Sequence, residues 1–519
     1  MKKQFFFILV AMLVCGTMSA QDNPEPANHF TNPEQIGFNT TMNLRAKVCI
    51  DGVEQESVDV IEVGAFNGTV VTDSKFVKSY NAGYRVFLSI GGDSAYPITF
   101  KMYNHETGKE YVDYTLTDSD GTLLEGITWV PDESFGTSAA PYTLNFFTPK
   151  HTKTIEPYTE HGGYYLIASP IGTVSPANVD NMTSNNYDLY RFNQSAAKEW
   201  ENYKQEGDDH YHFNLEPGRG YLYANSQNVT LTFTGFPAET DGQVTLTKDS
   251  NANFPGWNLV GNPYAVTAYV TKSFYVLNSD GNELTAHTGN EVRAMEGIFV
   301  IADNDQETMT FSTTPPQKDN RQLVVNLTND NRSGAIDRAI MRFDNTEVLP
   351  KFQLFEGNTK LYIPQNGKDY AVVNAESQGE MPINFKAAEN GTYTLSINAD
   401  GVAMDYLHLI DNLTGNDVDL LETPSYTFDA TTSNYASRFK LVFSTSNGNE
   451  NQFAFISNGE IILNGINGNT TVQLYDVTGR MLSSANGANR ISTENMAAGV
   501  YMLRLVNGND TKTQKIIVK

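Results

Sequence analysis

The sequence predicts an all-β protein, with several antiparallel β-sandwich modules of Ig-like or jelly-roll-like type arranged in tandem. Hydrophobic and polar residues alternate with period two in many short runs, among them 229–233 and 393–397, so each such strand has one inward and one outward face. Turn dipeptides such as Asp120-Gly121 separate the runs and supply the positive φ that tight hairpins need. Long stretches with helical spacing are absent, and the best helical candidate is the short segment 195–204.

The first twenty residues have the composition of a secretory signal peptide. Lys2 and Lys3 form a basic start, and residues 5–14 are an unbroken apolar run that is too short to span a bilayer. Small residues follow up to Ala20, where cleavage is expected. Since no later run reaches the ~18 apolar residues of a membrane span, we expect no transmembrane segment in the mature chain.

Turn-rich and proline-bearing segments divide the remainder into modules. The predicted boundaries are an N-terminal sandwich at 28–147, a duplicated module at 162–314, a third sandwich at 318–443, a polar linker at 444–451 and a small last module at 453–519. The duplication is predicted because Gly163-Tyr-Tyr-Leu-Ile-Ala-Ser-Pro170 is echoed by Gly256-Trp-Asn-Leu-Val-Gly-Asn-Pro263. A second matching pair follows in the same order, which defines two related units at about 163–235 and 256–314.

Charge and cysteine content exclude several classes of function. The formal net charge is -25, and such a surface repels phosphate backbones, so we expect no nucleic-acid partner. Once a signal peptide is removed, only Cys49 remains. A single cysteine forms no internal disulfide and no cysteine-based zinc site, so stability must come from apolar cores.

The last module carries two spaced motifs. Residues 472–482 contain Asp476, Gly479 and Arg480 around one turn, and residues 491–505 follow after a short gap. The second motif and the chain end contribute Gly499, Tyr501, Arg504 and Lys519. This pattern resembles the type A sorting domain of the type IX secretion system, which certain Gram-negative bacteria use.

The resemblance implies a small Ig-like domain that directs export across the outer membrane. It implies an outer-membrane translocon and a sortase-like peptidase as partners, with removal of this module within the 444–451 linker. Attachment to surface lipopolysaccharide, or release, would follow. Independently of the family, the module is rich in basic residues, so it differs electrostatically from the acidic remainder of the chain.

An aromatic cluster is a candidate for ligand binding. Trp200, Tyr203, Tyr221 and Tyr223 fall on neighbouring predicted strands. Exposed rings suit the apolar C–H faces of sugars. The alternative interpretation is that these rings fill the sandwich core, where most large aromatic side chains are found.

One acidic segment is a candidate calcium site. Asp118, Asp120 and Glu125 offer carboxylate oxygens around a turning glycine, although the segment is shorter than an EF-hand loop. A plain hairpin turn is the alternative. Apart from calcium, the sequence indicates no cofactor.

No catalytic signature marks the chain, since HExxH, P-loop and GxSxG motifs do not occur. The leading hypothesis is therefore a noncatalytic, surface-displayed binding or adhesion protein with a glycan or protein ligand. An exported hydrolase of unrecognised type is the first alternative. An accessory subunit of a separate surface enzyme is the second.

Overall fold

A computed structural model describes residues 26–31, 37–159, 162–182, 185–205, 212–278, 280–316, 321–330, 334–343, 348–353, 357–446, 453–464, 466 and 468–519. Within these ranges every regular element is a β-strand, except for one 3-10 helix at Pro176–Asn178. The predicted all-β class, built from antiparallel sheets, is confirmed. The signal peptide predicted at 1–20 lies outside the described residues, as do positions 447–451 of the predicted linker. No helix in the described part is both long and apolar enough to cross a membrane.

The chain separates into two compact units, residues 1–149 and 150–519. The strands of the first unit are β1 (Thr40–Ile50), β2 (Val53–Glu54), β3 (Ile61–Asn67), β4 (Val70–Phe76), β5 (Lys78–Tyr80), β6 (Gly83–Gly92), β7 (Pro97–Asn104), β8 (Lys109–Tyr111), β9 (Tyr114–Thr117), β10 (Leu123–Leu124), β11 (Ile127–Thr128), β12 (Ser134–Phe135) and β13 (Tyr142–Phe146). They form an eight-stranded sheet around β1 and a five-stranded sheet around β3 and β7. Strand β1 pairs antiparallel with β6 and parallel with β13.

A buried carboxylate holds the start of the described chain onto the first unit. Glu62 on β3 is 0% exposed and accepts hydrogen bonds from the backbone N–H of His29 (2.7 Å) and of Phe30 (3.1 Å). The hydroxyl of Ser74 and the ring of His105 also contact it. Because a buried charge is tolerated only when it is well hydrogen-bonded, this set of donors fixes the segment 26–31 against the sheet.

The second unit begins with strands β14 (Lys150–Ile155), β15 (Tyr165–Ala168), β16 (Tyr187–Phe192), β17 (Trp200–Asn202), β18 (Gly220–Asn225), β19 (Val229–Thr234), β20 (Gln243–Leu246), β21 (Trp257–Gly261), β22 (Ala268–Tyr269), β23 (Tyr275–Leu277), β24 (Leu284–Ala286), β25 (Glu291–Val292), β26 (Gly297–Ile301) and β27 (Glu307–Thr310). The helical prediction for 195–204 is wrong. That segment is a turn followed by β17, which pairs with β16 as a hairpin.

Two four-stranded sheets of this region share one strand order. The first runs β15-β18-β16-β17 and the second β21-β26-β23-β24, and each is accompanied by a two-stranded sheet, β14-β19 and β20-β27 respectively. The sheets meet through two reciprocal bridges, Ile167 with Glu296 and Val260 with Arg219. Ile167 and Val260 occupy equivalent places in β15 and β21. Such reciprocity is the contact pattern of two bodies related by a two-fold axis.

The third region contains β28 (Gln322–Asn329), β29 (Asp337–Arg342), β30 (Leu349–Pro350), β31 (Lys360–Gln365), β32 (Lys368–Asn374), β33 (Gln378–Ala387), β34 (Gly391–Asp400), β35 (Met404–Asp411), β36 (Asn416–Asp419), β37 (Ser425–Ala430) and β38 (Ser433–Thr445). They join into one eleven-stranded sheet. Side chains from both ends of its strand order, such as Phe428 on β37 and Leu409 on β35, share a single core. The sheet therefore folds over on itself and packs as a sandwich.

The last region contains β39 (Ala454–Ser457), β40 (Glu460–Leu463), β41 (Thr470–Asp476), β42 (Met481–Asn486), β43 (Arg490–Ser492), β44 (Gly499–Asn507) and β45 (Asp510–Val518). A three-stranded sheet, β39-β40-β43, faces a four-stranded sheet, β42-β41-β44-β45. Their common core includes Ile461, Val472 and Leu503, each at most 2% exposed. This small sandwich has its own core, as an autonomous domain requires.

Candidate functional site

The motif turn of the last region is built around one carboxylate. Asp476 ends β41, and its Oδ1 accepts hydrogen bonds from the backbone N–H of Thr478 (2.9 Å) and Arg480 (3.0 Å) and from the Thr478 hydroxyl (2.6 Å). Arg480 also donates through Nε to Asp476 Oδ2 at 3.0 Å. Gly479 has φ +82°, a left-handed conformation that glycine adopts without strain. The turn thus needs both the carboxylate and the glycine.

These hydrogen bonds favour the charged form of the carboxylate. The Thr478 hydroxyl, together with the N–H groups of the turn, lowers the pKa of Asp476 from its ordinary 3.8 to about 2. Because the folded-state pKa lies below the unfolded value, the carboxylate stabilises the turn above about pH 4, and this contribution is lost as the pH falls towards 2.

We expect Asp476→Ala to lower the melting temperature of the last region near neutral pH, because four donors lose their acceptor. The deficit relative to the parent protein should shrink as the pH falls from 4 to 2. Melting curves across that range, followed by hydrogen exchange at residues 478–480, measure it. Asp476→Asn keeps an Oδ1 acceptor and should lose less. A deficit of the same size at pH 2 and pH 7 would contradict the assigned role.

The second motif lies at the same end of the sheet. Tyr501 on β44 pairs directly with Asp476, and Gly499 pairs with Val518 at the end of β45, beside Lys519. The Tyr501 ring is 8% exposed, and its hydroxyl donates to the carbonyl of Ala497 at 2.7 Å. Arg504, three residues further along β44, is exposed and lies towards the middle of the sheet. The structure therefore brings six of the seven predicted residues to one end of the sheet and leaves Arg504 apart.

The three-stranded sheet of this domain packs against the third region. Phe455 and Ile462 meet Tyr406 and Val442 in a small buried cluster. Beside it, Arg490 Nη2 donates to Asp417 Oδ2 at 2.5 Å and to the Tyr406 hydroxyl at 2.8 Å.

The ion pair at this contact also includes a histidine. Burial acts to raise the pKa of Asp417, but hydrogen bonds from His408 and Arg490 hold it below its ordinary value. The contact consists of one small apolar cluster and one ion-pair network, which is the size and character of an interface between domains that can separate.

The predicted aromatic binding surface is not formed. Tyr221 and Tyr223 are 0% exposed and belong to the core of the sheet that contains β15 and β18, where burial raises the pKa of Tyr221 to about 12. Tyr203 packs against that same core, whereas Trp200 packs on the opposite side of the sheet against Phe299. The four rings therefore do not share one exposed face, and two of them cannot contact a ligand.

The predicted calcium segment is a hairpin turn. Asp118 Oδ1 accepts the backbone N–H groups of Asp120 (3.0 Å) and Thr122 (2.8 Å), an Asx turn that closes the loop between β9 and β10. Glu125 follows β10. Across the described residues, no group of three or more His, Cys, Asp or Glu side chains is placed to hold a metal ion. The three carboxylates are thus not gathered into a site.

A polar groove that the sequence did not predict lies beside the two four-stranded sheets that share one strand order. Two cavities of about 370 Å³ and 290 Å³ share Leu277, Asn278, Arg293 and Glu296 in their walls. His287 and Arg338 also line the larger cavity, and Lys153 lines the smaller one.

The charged groups of the groove are partly desolvated. Burial lowers the pKa of Lys153, of His287 and of Arg338, so the His287 ring is neutral at neutral pH. The Arg293 side chain is exposed. Desolvated polar groups in a concave site are the usual setting for ligand recognition. Lys153 and Arg338 are nearly two hundred positions apart in the sequence. The one sequence signal for this groove is the predicted internal match, in which Arg293-x-x-Glu296 takes the place of Glu216-x-x-Arg219.

Comparison with known proteins identifies one part of the chain. Residues 456–519 match the family model of the secretion system C-terminal sorting domain. No curated protein matches the sequence. Among solved structures, PorZ, an essential bacterial surface component of the type IX secretion system of Porphyromonas gingivalis, aligns at 8% identity and a TM-score of 0.12, over 86% of this chain and 74% of PorZ.

Two further alignments have equally low scores. The extracellular domain of the hybrid two-component system BT3049 from B. thetaiotaomicron aligns at 10% identity and a TM-score of 0.10, over 90% of this chain and 86% of that one. E. coli alpha-2-macroglobulin aligns at 9% identity and a TM-score of 0.10, over 93% of this chain and 40% of that one. Alignments with TM-scores this low carry no argument about this chain, so the family match alone identifies the domain. Residues 456–519 form a C-terminal sorting domain of the type IX secretion system, which implies export of the chain to the cell surface or the medium.

Proposed function

We propose that the exported chain is a noncatalytic binding or adhesion protein displayed at the cell surface, with a glycan or protein ligand. The observation that carries the proposal is the polar groove of about 370 Å³ lined by Arg293, Glu296 and Arg338. A few convergent polar groups on a concave surface fix the orientation of a ligand and give specificity. Arg338 is partly withdrawn from water, so a ligand oxygen would replace little of its hydration.

The arrangement of the two sheets supports the same proposal. The groove lies beside the sheets that share one strand order, and a cavity of about 360 Å³ flanked by Glu216 and Arg219 occupies the equivalent place on the other unit. We attribute this arrangement to duplication of one ancestral unit. In one groove Arg293 precedes Glu296 in the sequence, and in the other Glu216 precedes Arg219. The two grooves therefore present opposite charge orders and suit different ligands, or different parts of one ligand.

Events before and after display complete the proposal. An N-terminal signal peptide at 1–20 would direct the chain to the periplasm, and the outer-membrane translocon would export it. A sortase-like peptidase would then cut within 444–451, and the mature chain would attach to lipopolysaccharide or be released. The sorting match at 456–519 supports the export step.

Glycan arrays and panels of purified surface proteins, probed with the whole secreted chain, test the proposal. We expect saturable binding without turnover of the ligand. Arg293→Ala should weaken it by about tenfold or more, because a hydrogen bond to a charged group contributes roughly 1.5–3 kcal/mol. Lys368→Ala, which changes an exposed lysine at the start of β32, is the matched control and should bind normally.

Three results would contradict the proposal. Hydrolysis of any ligand offered would assign the chain to the enzymes. Equal binding by the Arg293 and Lys368 variants would remove the groove as the site. Stable co-purification with a separate exported enzyme, in the absence of any binding of its own, would favour an accessory subunit.

A further inference from the structure

The four-stranded sheet of the sorting domain has an exposed outer face. Along β41 and β44, Val472, Leu474 and Leu503 point into the core, so the residues between them point outward. A sheet face in contact with water ordinarily carries polar side chains. Here only one half of the face does so, and its polar members are Thr471, Gln473, Thr511 and Thr513.

The other half of this face is apolar. Tyr475 lies directly opposite Met481 on one side and Met502 on the other, and Val500 lies opposite Ile517. Side chains paired in this way are in contact across the sheet, so the residues form two adjacent rows, which are joined along β44 by Val500 and Met502. Ile517 is 54% exposed and Met481 is 53% exposed. We call these two rows the outer apolar face; its members are Tyr475, Met481, Val500, Met502 and Ile517.

The outer apolar face has a basic border. Lys515 lies opposite Met502, and Arg504 lies two residues after Met502 on the same side of the sheet. Arg480 and Lys519 are exposed at the same end. Residues 453–519 contain six basic and four acidic residues, whereas the whole chain has a formal net charge of -25. An acidic partner is therefore repelled by the rest of the protein and attracted to this domain.

The opposite sheet of the domain is already occupied. Phe455 and Ile462 on the three-stranded sheet are buried against Tyr406 and Val442 of the third region. A secretion component that reads the domain in the folded chain must use an accessible surface. Of the two outward sheet faces, the one formed by β42, β41, β44 and β45 remains available.

We propose that the outer apolar face is the surface by which the sorting domain docks onto the secretion machinery. The partner surface has an apolar centre that receives Met502 and Ile517, and an acidic border that pairs with Lys515 and Arg504. A buried apolar centre surrounded by a polar rim is the usual anatomy of a specific protein interface. The inference rests on the sorting role of residues 456–519 and is independent of the ligand-binding proposal.

The test places charge in the centre of the face. Full-length protein carrying both Met502→Glu and Ile517→Glu is expressed in a bacterium with a type IX system, and the amounts outside the cell and in the periplasm are measured. We expect the amount of external protein to fall at least about tenfold and the protein to accumulate in the periplasm. A few central apolar anchors carry most of the binding energy of an interface, and a charge at such a position removes it. Lys515→Glu alone should give a smaller loss of the same kind.

Thr511→Glu is the matched control, since it adds the same charge at the polar end of the same sheet face and should be exported normally. Melting curves of each purified variant report whether the domain is folded. If the double glutamate variant melts early, Met502→Gln with Ile517→Thr, which adds no charge, gives the deciding measurement. Normal export of a folded variant altered at both positions would overturn the docking proposal.

A chain truncated after Ser446 separates this inference from the sorting role itself. If the truncated chain also appears outside the cell at the normal level, the sorting role fails. If the truncated chain remains in the periplasm while the face variants are exported, the docking face alone is wrong.

Discussion

Replacing Arg438 by alanine is expected to lower the free energy of unfolding of the third region by about 3–5 kcal/mol, because the change leaves a buried carboxylate without its cation. The side chains of Arg438 and Asp411 are 3% and 1% exposed, and Nη2 lies 3.2 Å from Oδ2. The guanidinium also stacks over the Phe428 ring at 4.4 Å. Alanine therefore removes a cation, a hydrogen-bond donor and an apolar contact together.

The charge state of Asp411 gives the same variant a pH signature. Burial acts to raise the pKa of Asp411, but the hydrogen bonds and charge of Arg438, together with hydrogen bonds from the Leu413 N–H and the Tyr426 hydroxyl, outweigh it and hold the pKa below its ordinary value. A depressed folded-state pKa stabilises the protein above the unfolded pKa of about 3.9, and the effect is lost as the pH falls. The difference between parent and Arg438→Ala should therefore narrow below about pH 4.

Urea unfolding, with hydrogen exchange at β35 and β38 to localise the effect, measures this loss. Arg480→Ala is the control, because Arg480 is paired with Asp476 but its side chain is 76% exposed. An exposed pair contributes about 0–1 kcal/mol. Equal losses for the Arg438 and Arg480 variants would show that burial does not set the strength of the first pair.

Gly261→Val should destabilise the contact between the β15-β18-β16-β17 and β21-β26-β23-β24 sheets by about 3 kcal/mol, at the upper end of the usual cost of overpacking. A Cβ at Gly261 would lie 2.4 Å from the Ala168 Cβ and 2.6 Å from the Arg219 carbonyl oxygen. The Gly261 N–H also donates to the Gly218 carbonyl at 3.0 Å. Since the obstructing atoms belong largely to the backbone, the sheets must move apart to admit the side chain.

Thermal unfolding and hydrogen exchange at β18 and β21 report this change. Gly172→Ala is the control, because a Cβ there meets nothing within 4 Å, and its melting temperature should stay close to that of the parent. A normal melting temperature for Gly261→Val would mean that the two sheets are not held in the close contact described above.

Local pattern was enough to place most strands. The alternating run 393–397 lies within β34, and the turn Asn458-Gly459 joins β39 to β40 with φ of 49° and 74°. These features depend on neighbouring residues alone, since alternation creates the two faces of a strand and an Asn-Gly pair tolerates positive φ. The sorting motif was readable for the same reason, because its turn is closed by hydrogen bonds within residues 476–480.

The sequence did not reveal which faces of a strand are covered by other parts of the protein. All six residues of β18, Gly220 to Asn225, are buried, because the strand lies inside its sheet and both faces of the sheet are packed. Tyr221 and Tyr223 therefore belong to the core and do not form a binding surface. Alternation cannot reveal this, since it records polarity along one strand and not what packs above or below it. The segment 195–204 was wrongly predicted to be helical for a related reason. Its strand β17 forms by pairing with β16, and the spacing of apolar residues within the segment does not reveal that pairing.

Local features of the sequence are sufficient to predict that the chain is built of β-strands and carries a sorting domain, because strand periodicity, turn chemistry and the sorting motif depend on neighbouring residues. Which surfaces remain open depends instead on the packing of the sheets. The groove brings together Lys153, Arg293 and Arg338 from distant parts of the chain. The outer apolar face stays exposed because it is the other sheet of its domain that packs on Tyr406 and Val442. Both outcomes depend on how sheets stack, and stacking is set by the burial of whole faces rather than by any short run of residues.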